Sequence, residues 1–161
     1  MDGCLACDLS SGRVPLPGGV ICETSLWIVE HCFGPLGLGT LVVKPKRHVV
    51  HVAELDDAEA GELGTLLRDS AHCAAEVTPP DQVYVTLWSH AGGRPGHIHW
   101  VVQPVTRADL RLHGLHGPRL QVAMFERGAA PAPSDIEEIA DRLRVAFVCA
   151  RRGDSIGAAE A

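Results

Sequence analysis

The stretch 96–102, Gly-His-Ile-His-Trp-Val-Val, constrains the fold of this chain more than any other segment. Its β-branched and aromatic residues favour a β-strand. Alternate side chains of a strand share a face, so His97, His99 and Val101 lie on one side, ~6.8 Å apart. One histidine can then bind a metal while its neighbour faces a cleft as a neutral nucleophile or base. Taken alone, such a pair is more often two half-exposed histidines on a sheet face.

A CxxC motif near the amino terminus, Cys4 and Cys7, has two main roles, redox chemistry and metal binding. A thioredoxin-type redox pair opens a helix after a strand, and no predicted strand precedes Cys4. We therefore predict a metal site. Structural zinc takes four tetrahedral Cys and His ligands, and spacing alone does not identify the other two among nine histidines. The remaining cysteines are predicted to be small buried hydrophobes: Cys22, Cys32, Cys73 and Cys149.

Length and charge restrict the class of protein. The 161 residues suit one α+β domain over 1–152, followed by a flexible tail over 153–161. A net charge of −6 argues against binding to a nucleic acid polymer. No apolar run reaches the ~20 residues of a membrane span, so no membrane partner is predicted. The amino terminus does not resemble a signal peptide, which predicts a cytoplasmic protein.

Periodicity and capping signals predict the elements. Strands are predicted at 20–23, 26–30, 39–43, 82–88 and 97–102, and a further strand at 120–125. Asp56 with Glu59 forms a capping box before a helix that ends at Pro79. Ser134 with Glu137 predicts a second capped helix, which runs to about residue 150. The segments 89–96 and 127–133 are predicted loops.

Three landmarks occur in order: the CxxC pair, the segment Lys44-Pro45-Lys46-Arg47-His48, and the stretch 96–104, which ends in proline. Together they resemble the histidine triad (HIT) superfamily, whose members carry an HφHφHφφ strand after a PKxH segment. Within this superfamily, the chain resembles the zinc-containing branch related to diadenosine polyphosphate hydrolases and galactose-1-phosphate uridylyltransferases. The resemblance implies a HIT-like fold: an antiparallel sheet, one long helix packed on it and a C-terminal helix.

Site roles follow from the same resemblance. It implies a structural zinc bound by Cys4, Cys7, His48 and His97. It also makes His99 the nucleophile that attacks the α-phosphate of a nucleotide and carries a covalent nucleotidyl group. The implied partners are a nucleotide or dinucleoside polyphosphate and a second copy of the chain in a homodimer.

The chain departs from the family pattern at several positions. Val101 replaces the third histidine, or the glutamine of uridylyltransferases, and cannot form a hydrogen bond. Gln103 lies one step further along the same face and is a candidate replacement for phosphate contact. Arg94 is a candidate to neutralise a phosphoryl group, the alternative being a solvated loop arginine. Cys32 or Phe33 stands near the place of the usual ribose-binding acid. The three tryptophans are predicted to be core residues: Trp27, Trp88 and Trp100. The basic residues at the end of the strand over 39–43 are predicted to be solvated: Lys44, Lys46 and Arg47.

Three functions are consistent with these features. The first is a HIT-like nucleotide hydrolase or nucleotidyltransferase that acts through His99. The alternative, motivated by Val101, is a catalytically impaired nucleotide-binding HIT protein with a structural zinc. The third is a zinc domain that binds a protein partner and no nucleotide.

Overall fold

The computed structural model describes residues 3–91 and 94–152. Within these ranges one five-stranded sheet has the order β1-β2-β3-β5-β4, and every neighbouring pair is antiparallel. The strands are β1 (Val20–Glu23), β2 (Trp27–His31), β3 (Leu41–Pro45), β4 (Gln82–Ala91) and β5 (Arg94–Val105). The helices are α1 (Leu5–Ser10), α2 (Asp57–Val77), α3 (Arg107–His113), α4 (Gly117–Arg127) and α5 (Pro133–Arg152), with a short 3-10 turn at Val52–Glu54. This architecture confirms the α+β prediction, while the predicted tail over 153–161 lies outside the described residues.

The two faces of the sheet have different coverings. Helices α2 and α5 pack on one face, where Ile98, Trp100 and Val102 of β5 join the main hydrophobic core. Trp27 meets Trp100 edge to face in this core, with ring centroids 5.6 Å apart. The opposite face, here called the histidine face, carries His97, His99 and Val101, as strand alternation predicts. A smaller apolar cluster on this face includes residues of α4. In the described helices, none combines the length and apolarity needed to cross a membrane.

Two local predictions are corrected by the structure. The segment 120–125 belongs to helix α4 and not to a strand, because Leu120, Ala123 and Met124 recur at helical spacing and are buried together. The loop predicted over 89–96 is mostly strand, since His90 pairs with Pro95 and Ala91 with Arg94. The β4–β5 hairpin is therefore longer than predicted, and it extends one wall of the histidine face.

The capping predictions have different outcomes. Asp56 caps α2: Glu59 N donates to Asp56 Oδ1 at 2.8 Å, and Asp56 N donates to a Glu59 carboxylate oxygen at 3.0 Å. The C-terminal helix is confirmed, but it begins at Pro133, so Ser134 lies inside its first turn. The Ser134 hydroxyl contacts Asp135 instead of capping the helix.

A buried histidine closes the loop between β2 and β3. His31 is 1% exposed, and its Nδ1–H donates to the carbonyl of Cys32 at 2.9 Å. Its Nε2 accepts from Gly39 N at 2.9 Å, so the ring must be neutral. Gly39 itself has a φ of 84°, and a Cβ there would lie 2.4 Å from Thr78 Cγ2. His31 thus joins the two ends of the loop over 32–39.

We expect His31 to make stability fall with acidification. Burial lowers the pKa of His31 below its usual value near 6.5. The unfolded chain therefore takes up a proton at a higher pH than the native state, and this contribution is complete above ~6.5 and is lost as pH falls towards the native pKa. Urea unfolding at saturating zinc measures the free energy of unfolding of the wild type and of His31→Gln. The excess of the wild type over the variant should shrink by up to about 1.4 kcal/mol per pH unit below 6.5. Parallel pH profiles for the two proteins would contradict this assignment.

Candidate active site and metal centre

Four potential metal ligands from three separate segments converge beside the histidine face. The ligand atoms of Cys4, Cys7, His48 and His97 all lie within 4.8 Å of one another. Cys7 Sγ is 3.3 Å from His48 Nδ1 and 3.5 Å from His97 Nδ1, and Cys4 Sγ is 3.9 Å from His97 Nδ1. A tetrahedral zinc with its usual bond lengths separates sulfur and nitrogen ligands by roughly 3.5 Å. The donor set and its spacing therefore fit zinc.

Outer contacts orient these ligands. The Nε2–H of His97 donates to the Pro45 carbonyl at 3.0 Å, which leaves Nδ1 with its lone pair directed to the thiols. Arg47 binds the buried carboxylate of Glu59 at 2.7 and 2.6 Å and so ties the segment that precedes His48 to the start of α2. These bonds position His48 and His97 independently of α1.

Metal binding by this cluster requires that the two thiols lose their protons and that the histidines stay neutral. Burial, together with the neighbouring Cys4, raises the pKa of the Cys7 thiol to about 11. Burial lowers the pKa of His97 to about 4, which keeps its imidazole neutral as a metal ligand must be. A divalent cation would offset the cost of bringing two thiolates together.

His99 faces a cavity beside this cluster. Its Nδ1–H donates to the carbonyl oxygen of His97 at 3.0 Å. This bond fixes the tautomer, because a carbonyl only accepts, and it leaves Nε2 with a lone pair. Burial lowers the pKa of His99, which also favours the neutral ring. The Trp88 ring lies beside it, with centroids 6.4 Å apart.

The cavity has a volume of about 610 Å³, within the range of small-molecule sites. Its walls come from α1, the loop after β2, the β4–β5 hairpin and α4. The polar or charged residues that line it are Cys4, Glu30, Cys32, Lys44, His48, His90, Arg94, His97 and His99. Apolar side chains also contribute, among them Phe33, Trp88 and Phe125.

An ion pair is buried in the wall of the cavity. Lys44 Nζ donates to Glu30 Oε1 at 2.6 Å and to the Ala6 carbonyl at 3.0 Å, and the two charged side chains are 1% and 3% exposed. The prediction of a solvated Lys44 is therefore wrong. Burial raises the pKa of Glu30, and Lys44 opposes that shift. A buried ion pair of this kind is weak evidence for stability.

The predicted phosphate contacts differ in position. Arg94 is exposed and lines the cavity. Gln103 is fully buried, and its Nε2 donates to the Leu36 carbonyl at 2.9 Å and contacts Met124 Sδ. Its side chain does not line the cavity, which contradicts the prediction that it replaces the missing third histidine. The α4 helix, absent from our prediction, covers Gln103. Val101 does line the cavity, with 1% exposure.

The aromatic side chains also divide into two groups. Trp27 and Trp100 are core residues, as predicted. Trp88 is only half-buried and forms part of the cavity wall, where it contacts Phe125 edge to face with centroids 5.1 Å apart. Phe33 and Phe125 are each more than half exposed. Sequence periodicity does not separate Trp88 from the core tryptophans, because it predicts a strand that ends at Trp88 and a loop over 89–96, where the hairpin continues and forms a wall of the cavity.

No family model and no curated protein matches the chain. Solved structures do. A hypothetical histidine triad nucleotide-binding protein from Sulfolobus tokodaii superposes with a TM-score of 0.70 at 17% identity, covering 98% of this chain and 99% of that one. A Zn-bound histidine triad family protein from Mycobacterium smegmatis gives 0.67 at 19% identity, with 94% and 98% covered. A Hit-like protein involved in cell-cycle regulation from Bartonella henselae gives 0.67 at 16%, with 91% and 98% covered.

The chain has the histidine triad fold. At these identities the likeness establishes the fold alone, and it confirms the HIT-like architecture implied by the sequence landmarks. Within this histidine triad fold, the Cys2His2 cluster is a site that could bind zinc.

Proposed function

We propose that this protein is a nucleotide hydrolase or nucleotidyltransferase that attacks the α-phosphate of a nucleotide through His99. One observation supports this most strongly: His99 Nδ1–H donates to the His97 carbonyl, while the ring faces a cavity of about 610 Å³. A neutral histidine oriented by its other nitrogen is the arrangement that an imidazole nucleophile requires.

The proposed reaction has two displacements. The lone pair of His99 Nε2 forms a bond to the α-phosphorus, and the bond from phosphorus to the leaving-group oxygen breaks. The leaving group departs with that electron pair and takes a proton from solvent. Water or another acceptor then attacks phosphorus, releases its proton to solvent, and returns the P–N electron pair to Nε2.

Cavity chemistry supports a nucleotide or dinucleoside polyphosphate as the substrate. Arg94 supplies a guanidinium at the rim, which suits phosphate oxygens. Trp88, Phe33 and Phe125 supply aromatic surface on which a planar base can lie. We place the phosphate next to His99 and the nucleoside against these walls.

Zinc has a positioning role in this proposal and takes no part in bond making. Cys4, Cys7, His48 and His97 would hold it. When bound, it supplies a rigid cross-link between the amino-terminal turn and the sheet. His97 would ligate zinc through its side chain, and it orients His99 through its carbonyl oxygen, so the metal site and the nucleophile would share one residue.

Covalent labelling tests the function. Wild-type protein incubated with α-³²P-labelled ATP or diadenosine polyphosphate should acquire an acid-labile label that peptide mapping assigns to His99. His99→Gly should acquire none. His90→Gln, which changes another histidine of the same cavity, should remain labelled. Absence of label from the wild type, or label on a different residue, would contradict the mechanism.

A second candidate is a nucleotide-binding protein with impaired catalysis. Val101 favours it, because this buried side chain lines the cavity without offering a hydrogen bond to phosphate. Calorimetry that shows tight nucleotide binding with no turnover would select this candidate. Robust turnover would exclude it.

Three further parts of the proposal concern the whole chain. On sequence grounds we propose that residues 1–152 form one domain and that the protein is cytoplasmic. We also infer a homodimer. In the described sheet β4 is an edge strand, and Val85 and Leu87 on it are 43% and 42% exposed, which supports pairing with a second copy. Sedimentation velocity should give twice the chain mass.

A further inference from the structure

Glu30 occupies an unusual place on the histidine face. It pairs with Val42 of β3, which in turn pairs with Val101 of β5, so Glu30 lies two strands from the residue that follows His99 on that face. Neighbouring strands are ~4.8 Å apart, which puts its backbone ~10 Å from Val101. The backbone of Glu30 is therefore two strands away from that of the nucleophile, and we place the nucleoside part of a nucleotide on this side of the cavity.

One oxygen of this carboxylate has an unused hydrogen-bonding capacity. Glu30 Oε1 accepts from Lys44 Nζ at 2.6 Å. Glu30 Oε2 is buried and has no hydrogen-bond partner in the described ranges. The residue is 3% exposed, yet it lines the cavity. Buried carboxylate oxygens normally have a partner, so a missing donor is expected at this position.

Nearby groups do not supply that donor. Lys44 Nζ contacts this carboxylate through Oε1, and its other contact is with the Ala6 carbonyl. The cavity residues that follow β2 are Cys32, Phe33 and Gly34, whose side chains are apolar, weakly polar or absent. Lys44 balances the charge of Glu30, so the partner need not be a cation. A neutral N–H or O–H group satisfies the oxygen.

We propose that Glu30 Oε2 is a specificity-determining acceptor that receives a hydrogen bond from an N–H or O–H donor on the nucleoside part of the ligand. This inference rests on the proposed function. Two sources offer that chemistry, the hydroxyls of the ribose and the exocyclic amine of a base such as adenine. A ligand that lacks the relevant donor leaves Oε2 buried without a partner, and its affinity falls accordingly.

Binding measurements on two variants test the role of Glu30. Glu30→Gln replaces one carboxylate oxygen with an amide donor and keeps the shape. Because this change leaves Lys44 without its counter-charge, the double variant Glu30→Met with Lys44→Met replaces the whole pair by apolar groups, which proteins often tolerate well. Glu23→Gln is the matched control, since Glu23 also pairs with a lysine, Lys46, but is exposed. All three changes are made in the zinc-loaded full chain that carries His99→Gln, so that no turnover occurs.

The probes are AMP, its 2′,3′-dideoxy analogue, which lacks the sugar donors, and purine riboside 5′-monophosphate, which lacks the 6-amino donor. With Glu30 intact, we expect one analogue to bind roughly 10- to 100-fold more weakly than AMP, and that analogue identifies the source of the donor. Both Glu30 variants should bind AMP more weakly by a similar factor, and they should no longer discriminate between AMP and that analogue. Glu23→Gln should keep both.

Outcomes separate this inference from the proposed function. If AMP binds but the variants discriminate the analogues as the parent does, or the parent discriminates none, the Glu30 assignment is wrong and the function stands. If the parent binds none of the probes and the wild type is not labelled by nucleotide, both fail. Thermal unfolding with zinc shows whether each variant is folded, and the double variant decides the result if Glu30→Gln is not.

Discussion

Removal of zinc is expected to lower the free energy of unfolding by about 4 kcal/mol when the free metal was 1,000-fold above its Kd. A metal that binds only the native state stabilises it by mass action. The four side chains that would bind the metal come from segments up to 93 residues apart. Helix α1 has six residues, of which only Leu9 is buried. A helix of that length is not stable alone, so its place depends on the metal. Urea unfolding before and after chelation measures the effect.

Matched histidine variants separate this effect from general destabilisation. His48→Gln should lower zinc content below one ion per chain and remove most of the chelator-dependent change. His72→Gln alters an exposed histidine on α2 and should retain one ion and the full change. Equal zinc content in the two variants, or a wild type indifferent to chelator, would show that the cluster is not the metal site.

His99→Gly is expected to reduce kcat at least about 1,000-fold, because removal of a covalent nucleophile usually has effects of this size or larger. The affinity for nucleotide should change far less, since the aromatic and charged walls of the cavity remain. Stopped assays of product formation, with Kd measured separately by calorimetry, distinguish the two quantities.

Chemical rescue provides the decisive control for that variant. The glycine leaves space for added imidazole, which should restore part of the turnover in His99→Gly. His90→Gln should keep turnover near the wild-type value and should not respond to imidazole. If His99→Gly turns over nucleotide as fast as the wild type, His99 is not the nucleophile.

Much of this site could be predicted from sequence because its residues lie on strongly patterned segments. Strand alternation put His97 and His99 on one face, and the sheet shows them there. Cys4 and Cys7 are close in sequence, so only the two histidine ligands needed information from a family resemblance. The five strands of the described sheet and helix α2 follow from periodicity and from the Asp56 cap.

Other features depend on tertiary contacts that a single sequence does not display. The apolar spacing in α4 is compatible with a short strand until Leu120 and Met124 are seen to pack on Gln103 and its neighbours. Lys44 has the sequence context of a solvated strand end, and only the pairing of β2 with β3 brings Glu30 to it. Gln103 was placed on the correct face, but its burial under α4 removed it from the cavity.

His97 serves two neighbours through different atoms: its ring faces the thiols, and its backbone oxygen holds the His99 ring. If an assay buffer removes the zinc, we therefore expect turnover to be slow, even though every residue that would contact the substrate is still present. The apparent rate would then vary with the purification history of each preparation, because loss of the ion disturbs the His97 carbonyl that orients His99.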